Sequence, residues 1–252
     1  MNRLKSLLML LVAVLALPAA AQQMPQLPVD AAVRYGKLPN GLTYYVRHNA
    51  LPENRANFYI AQKVGSVQEE DNQRGLAHFL EHMCFNGTDH YPGDALLKYC
   101  EGIGVKFGLN LNAYTSTDET VYNIDNVPTS DKPLMDSVLL VLRDWSCAIT
   151  LDGDEIDAER KVIQEEWRTR DGAGNRFYAN MLPAIYQEYQ YQQMPIGKME
   201  VVMNFPYEDL RSYYRKWYRP DQQGIVVVGD FDAAEMEAKV KEMFSSIPMP
   251  EN

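Results

Sequence analysis

The sequence predicts an α+β fold, a sheet with helices packed on one of its faces. Short runs rich in Tyr, Val, Ile and Phe cluster early in the chain. Segments with helical periodicity then follow in succession instead of alternating strictly with strands. No internal repeat and no low-complexity tract interrupts the pattern.

The first residues are set apart from that fold. Arg3 and Lys5 precede an apolar stretch from Leu7 to Leu17 that closes on Ala19-Ala20-Ala21, the layout of a cleavable secretory signal over residues 1–21. The stretch is too short to span a bilayer, which takes about 20 apolar residues, and no second one follows. Cleavage before Gln22, with no cysteine there to carry a lipid, implies an exported, soluble chain, periplasmic or extracellular. Removing 21 residues from 252 leaves 231, which suits one large domain. The expected organisation is therefore a signal over 1–21, one domain over 22–247, and at 248–252 the start of a linker or the chain end.

Loss of Arg3 and Lys5 takes the formal charge from -10 to -12, and no basic stripe interleaved with aromatics occurs, which argues against nucleic acid as a partner. Cys84, Cys100 and Cys147 form no CxxC pair and sit among apolar residues, so buried free thiols are expected, with one disulfide between two of them in an oxidising compartment as the alternative.

Leu42 to Val46 and Asn57 to Val64 read as strands flanking a turn-like run from Asn49 to Asn54, and are expected to pair as a hairpin. Asn72 to Phe85 reads as a helix closed by Asn86-Gly87, and Asp94 to Glu101 as another closed by Gly102. Tyr114 to Ile124 has strand composition. Between Lys132 and Ile149 the apolar Leu134, Val138, Val141, Leu142 and Trp145 recur at helical spacing. Asp152 with Glu155 resembles a capping box opening a helix that runs to about Arg170. Arg176 to Tyr189 and Tyr207 to Tyr218 follow as helices, Pro220 stopping the latter. Ile225 to Val228 is a fully apolar strand, and Ala233 to Phe244 a final amphipathic helix.

Chemistry concentrates at His78-Phe79-Leu80-Glu81-His82. At about 100° per residue, His78, Glu81 and His82 fall within an arc of about 100° on one side of a helix, with Leu76, Phe79, Leu80, Met83 and Cys84 on the remainder. Two imidazoles at i and i+4 suit zinc, and a carboxylate beside them suits a general base acting on water at an open coordination position. The third ligand should be a carboxylate on another element. Glu159 and Glu166, seven residues apart, lie within about 20° of each other on one helix face, so one can bind metal while the other supports it. Glu165 points about 100° away and reads as solvated or paired with an arginine. His48 and His90 read as structural or solvated, and Tyr186 to Tyr191 as core or the edge of a missing interface.

His78-Phe79-Leu80-Glu81-His82 followed by Glu159-Arg160-Lys161-Val162-Ile163-Gln164-Glu165-Glu166 resembles the pitrilysin/insulinase family of inverted-motif zinc peptidases. Gly65-Ser66, Phe85-Asn86-Gly87-Thr88, Asn112-Ala113-Tyr114-Thr115, Pro195-Ile196-Gly197, Trp217-Tyr218-Arg219-Pro220 and Val228-Gly229-Asp230 extend the resemblance across the mature chain. It implies a mixed, mainly antiparallel sheet, one Zn2+ held by His78, His82 and Glu166, Glu81 as the base and Glu159 as a supporting acid. It also implies that Asn112, Ala113, Tyr114 and Thr115 lie on an edge strand, where an extended, unfolded peptide adds through main-chain hydrogen bonds.

Family members enclose a chamber between two halves, each of two domains, and this chain corresponds to the first domain alone. An Arg and a Tyr of the opposite half have no counterpart here. The expectation is a zinc endopeptidase or oligopeptidase domain that hydrolyses peptides weakly until a second half or a continuation completes it. A non-hydrolytic binding or assembly subunit is the alternative, and a metal-carrying structural domain without turnover a third reading.

Overall fold

The computed structural model describes residues 28–250; the expected signal over 1–21 lies outside the described residues. From Ala32 onward the chain is one compact unit, and the residues before it belong to a separate one. Six strands form a single sheet: β1 (Val33–Lys37), β2 (Thr43–His48), β3 (Arg55–Gln62), β4 (Leu111–Thr115), β5 (Thr120–Pro128) and β6 (Gln223–Gly229). Their order across it is β1-β2-β6-β3-β5-β4. Only the β2–β6 pairing is parallel among the described strands, so the sheet is mixed and mainly antiparallel.

The strands at Thr43–His48 and Arg55–Gln62 do not pair as a hairpin. Strand β6 lies between them, with Val226 opposite both Tyr45 and Tyr59. Its sequence explains the insertion: Ile225 and Val227 are fully buried, and Val226 and Val228, on the other face, are apolar too. A strand apolar on both faces is best placed centrally, with both of its edges paired. The run from Asn49 to Asn54 consequently bridges the end of β6. Asn49 N donates to Gly229 O at 2.7 Å and Asn54 N to Asp230 Oδ2 at 2.8 Å. A Cβ at Gly229 would stand 2.4 Å from Ala56 Cα, so no larger residue fits this crossing. The strand composition over Tyr114–Ile124 is also divided, into β4 and β5, which pair as a hairpin with Thr115 opposite Thr120.

Eight helices are described: α1 (Leu76–Met83), α2 (Ala95–Gly102), α3 (Lys132–Cys147), α4 (Gly153–Arg170), α5 (Ala173–Ile185), α6 (Met199–Asn204), α7 (Tyr207–Trp217) and α8 (Ala233–Phe244). Helices α3 and α8 cover one face of the sheet. Along β3 that face buries Ala56, Phe58, Ile60 and Gln62, while Arg55, Asn57, Tyr59 and Ala61 on the other keep partial exposure. Asp131 caps α3 by accepting from Leu134 N, and Asp152 caps α4 by accepting from Asp154 N and Glu155 N. Helix α6 and strand β1 have no counterpart among the expected elements. Cys84, Cys100 and Cys147 are free, as expected; the first two are buried, whereas Cys147 keeps partial exposure.

Candidate metal centre

Two helices carry the centre, and their neighbours fix each of them. Helix α1 begins at Gly75, whose φ of +109° favours glycine. A Cβ there would meet Val202 Cγ2 at 2.8 Å, and one at Gly197 would meet Gly75 Cα at 2.3 Å. The loop carrying Pro195-Ile196-Gly197 can therefore lie directly against the start of α1. Glu69 accepts from Gly75 N at 3.0 Å and Ala77 N at 2.8 Å, satisfying donors that the first turn leaves free. Burial pushes the Glu69 carboxyl up to about 8, against those two bonds and the charge of Arg74. The apolar face of α1 buries Leu76, Phe79, Leu80 and Met83, Phe79 meeting Phe205 edge to face at 4.9 Å.

Helix α4 is held through Arg160. Its guanidinium donates to Val202 O at 2.5 Å and Phe205 O at 2.8 Å, with Cζ 4.0 Å from the centroid of the Phe205 ring. Ile156 and Ile163 are fully buried on the same helix, and Glu159 and Glu166 then face α1.

Three atoms converge where the helices meet. His78 Nε2 and His82 Nε2 are 3.3 Å apart, and Glu166 Oε2 lies 3.5 Å from the first and 3.3 Å from the second. Among the described residues these three form a group able to hold a metal ion. For Zn–N bonds of about 2.0–2.1 Å, tetrahedral geometry places neighbouring ligand atoms about 3.3–3.4 Å apart, so the triangle has the dimensions zinc requires. Glu166 Oε2 is buried without a hydrogen-bond partner, which also fits a cation at this point.

Several other atoms around the centre are committed in ways that leave the triangle free to ligate, while His78 Nδ1 is buried without a hydrogen-bond partner. His82 Nδ1–H donates to Glu159 Oε1 at 2.7 Å, which turns Nε2 toward Glu166 and His78 as the atom that would ligate a metal. Asn86 Nδ2 donates to Glu159 Oε2 at 2.6 Å. Arg170 Nη2 pairs with Glu166 Oε1 at 2.8 Å, which leaves Oε2 as the ligand atom. Thr115 Oγ1 donates to Glu81 Oε2 at 2.5 Å.

The charges follow from burial and these partners. Burial, aided by repulsion from His82, takes His78 down to about 4. Burial opposes the His82 cation as well, but the hydrogen bond to Glu159 and the carboxylates of Glu166 and Glu81 close by outweigh it and raise His82 to about 9. Burial pushes Glu81 up, against its bond from Thr115. For Glu166 burial is outweighed by the close approach of His82 and by the charges of His78 and Arg170, which hold its carboxyl below the usual range.

A cleft of about 780 Å³ opens over these groups, lined by His78, Glu81, His82 and Glu166 and by Ala113, Tyr114 and Thr115 of β4. Strand β4 is an edge of the sheet, as the resemblance implied. Asn112, paired with Asn123 of β5, is not among the described residues lining the cleft. Trp167, Arg170 and Arg176 complete part of the wall without having been singled out from the sequence. Arg170 was the more legible, standing four residues beyond Glu166 on a helix; Asn86 and Thr115 bond to residues far away in sequence, which no local pattern reveals. Glu165 pairs with Arg168 at 2.8 Å, in line with its expected role. His48 bonds Phe231 O and His90 bonds the buried Asp144. Tyr186 and Tyr189 are exposed rather than in the core, and Tyr189 Oη donates to Asp71 at 2.9 Å.

Residues 44–196 match the family model described as Insulinase (Peptidase family M16), and residues 204–252 that of the Peptidase M16 inactive domain. The chain is similar to the probable zinc protease PqqL of Escherichia coli (strain K12), with 40% identity over 246 residues, 96% of this chain and 26% of that protein. A probable zinc protease PqqL of Haemophilus influenzae is 34% identical over 221 residues, 87% of this chain and 24% of that one. Among solved structures, the first half of the periplasmic protease PqqL from Escherichia coli matches with a TM-score of 0.84 and 40% identity, over 90% of this chain and 49% of that chain. The chain thus spans about a quarter of the length of these curated relatives.

Proposed function

Because the chain belongs to the insulinase family of peptidases, peptidase family M16, we propose that it is the metal-binding domain of an exported zinc peptidase that cleaves unfolded peptides. His78, His82 and Glu166 hold the ion, Glu81 is the general base and Glu159 supports His82. The observation that carries this reading is the triangle of 3.3, 3.3 and 3.5 Å between ligand atoms, with Glu166 Oε2 buried and unpartnered.

Bound zinc supplies a Lewis acid that polarises the scissile carbonyl and lowers the pKa of water. The chain's own residues do the rest. An extended substrate pairs with the free edge of β4, and Ala113, Tyr114 and Thr115 bring its carbonyl toward Glu81. Glu81, with Oε2 held by Thr115, takes the proton of the attacking water on Oε1 and returns it to the leaving amine. The raised Glu81 pKa suits a group that must both accept and release that proton. Most strands of a folded protein are already paired, which favours unfolded segments as substrates.

Export rests on the character of residues 1–21 and on the periplasmic relative. The single domain expected over 22–247 is supported from Ala32 onward, where β6 belongs to the second matched segment yet lies within the one sheet. A second half or continuation is needed for full turnover. Support comes from the fraction of the relatives spanned and from Phe177, Tyr178 and Ile185 of α5, which are large apolar residues left exposed.

The test is the zinc content of the chain lacking residues 1–21, dialysed against metal-free buffer, beside its Glu166→Gln and His82→Ala variants. About one zinc per chain, lost in both variants, is expected. A chain that takes up no zinc would remove the peptidase reading. Glu81→Gln should keep the zinc and lose hydrolysis.

A further inference from the structure

Asn86 follows α1 and was assigned no role by its motif, yet its side chain reaches the metal centre. Glu159 has two carboxylate oxygens, and both are occupied: Oε1 by His82 Nδ1–H at 2.7 Å and Oε2 by Asn86 Nδ2 at 2.6 Å. We propose that Asn86 is a positioning residue of the metal centre, locking the Glu159 carboxylate and through it the ring orientation and tautomer of His82. The inference rests on His82 being a zinc ligand.

The backbone that carries this amide is itself held in place. Asn86 N donates to Met83 O at 3.1 Å, continuing the turn of α1. Gly87, at a φ of +125°, is bound through its carbonyl by Thr150 N at 3.2 Å and Thr150 Oγ1 at 3.1 Å, just ahead of α4. On the other side Trp145 Nε1 donates to Cys84 O at 2.8 Å, and Thr88 Oγ1 donates to the fully buried Asp144 at 2.6 Å. The segment from Cys84 to Thr88 is thus pinned to α3 and to the start of α4, and Asn86 carries that rigidity to Glu159. Were the amide absent, Glu159 Oε2 would lose its donor in a site where the Glu159 side chain is only 13% exposed. The carboxylate would then turn to find water, and His82 Nδ1 would follow or lose its partner. Residues orienting ligands in this way govern metal affinity by about 10–100-fold.

The experiment compares zinc dissociation constants, by chelator competition, for the wild-type chain, Asn86→Leu, Glu159→Gln and the double variant, with Co2+ absorption spectra of each. Circular dichroism checks folding, and Asn86→Ala replaces Asn86→Leu should the latter not fold. Asn86→Leu is expected to bind zinc about 10–100-fold more weakly and to change the Co2+ spectrum, with little further loss in the Glu159→Gln background. Unchanged affinity and spectrum in a folded Asn86 variant would overturn the proposal, as would losses that simply add in the double variant, since Asn86 would then act on the fold and not through Glu159. Failure of the wild-type chain to bind zinc would remove the peptidase reading and this inference with it, whereas normal wild-type binding with an indifferent Asn86 removes only the inference.

Discussion

The Thr115 hydroxyl donates to Glu81 Oε2 at 2.5 Å, so the edge strand that would receive substrate and the carboxylate that would activate water share one hydrogen bond. Thr115 faces Thr120 across the β4–β5 pair, and Thr120 Oγ1 is anchored to Val64 O at 2.9 Å. Thr115→Val keeps the β-branched shape and removes the donor. In the proposed peptidase, completed by its second half, kcat should fall about tenfold or more with KM little changed, because a hydrogen bond to a charged group contributes about 1.5–3 kcal/mol. Thr115→Ser should recover most of the rate. A Val variant as fast as wild type would mean that Glu81 needs no such support.

Zinc should stabilise the chain. Binding to the folded state alone at 100 times Kd contributes about 2.7 kcal/mol. For a domain of this size that is a rise in Tm of about 5–10 °C, read by calorimetry with and without a chelator. Glu166→Gln should abolish the rise; an equal rise in that variant would place the ion elsewhere.

Arg160 supports α4 without touching the centre. Arg160→Met leaves the carbonyls of Val202 and Phe205 without their donor inside the protein, at a cost of about 2–4 kcal/mol. Urea unfolding of the metal-free chain should show this loss; a change below about 1 kcal/mol would mean that water or a neighbour replaces the guanidinium.

Glu69 makes stability depend on pH. Its folded pKa of about 8 lies above the ordinary carboxylate value of 4.5, so between these limits the folded state binds the proton more tightly than the unfolded state. The contribution is complete below about pH 4.5 and disappears as pH rises through about 8. Relative to Glu69→Gln, the wild-type chain should lose stability steadily from pH 5 to pH 8. Parallel pH profiles for the two would show that the carboxylate stays ionised throughout, held by Gly75 N and Ala77 N.

Much of the centre was legible because helices are rigid rulers. Spacings of four and seven residues fix which side chains share a face, so His78 and His82, and Glu159 and Glu166, could be aligned before any tertiary contact was known. Asp152 announced α4 because a cap acts on its own next residues. Pairing of the strands was less accessible, since the short turn from Asn49 to Asn54 suggests a hairpin and only β6, distant in sequence, overrides it. Strand β1 escaped notice because Val33–Lys37 is a short edge with little apolar alternation, and α6 because Met199–Asn204 is barely more than a turn, held by its neighbours. Asn86 could be seen as part of a motif but not as a donor to Glu159, for an amide has no signature apart from the acceptor it meets.

The central position of β6 also constrains the order of assembly. Thr43 pairs with Gly224 and Ala56 with Gly229, contacts that join residues far apart along the chain. Until residue 229 is available, β2 and β3 present open edges to each other across an empty lane, and nothing local can close it. Folding is therefore expected to be slow and all-or-none, dominated by the entropy of closing that long loop. A nascent chain would remain pliable, and vulnerable to aggregation, until β6 arrives.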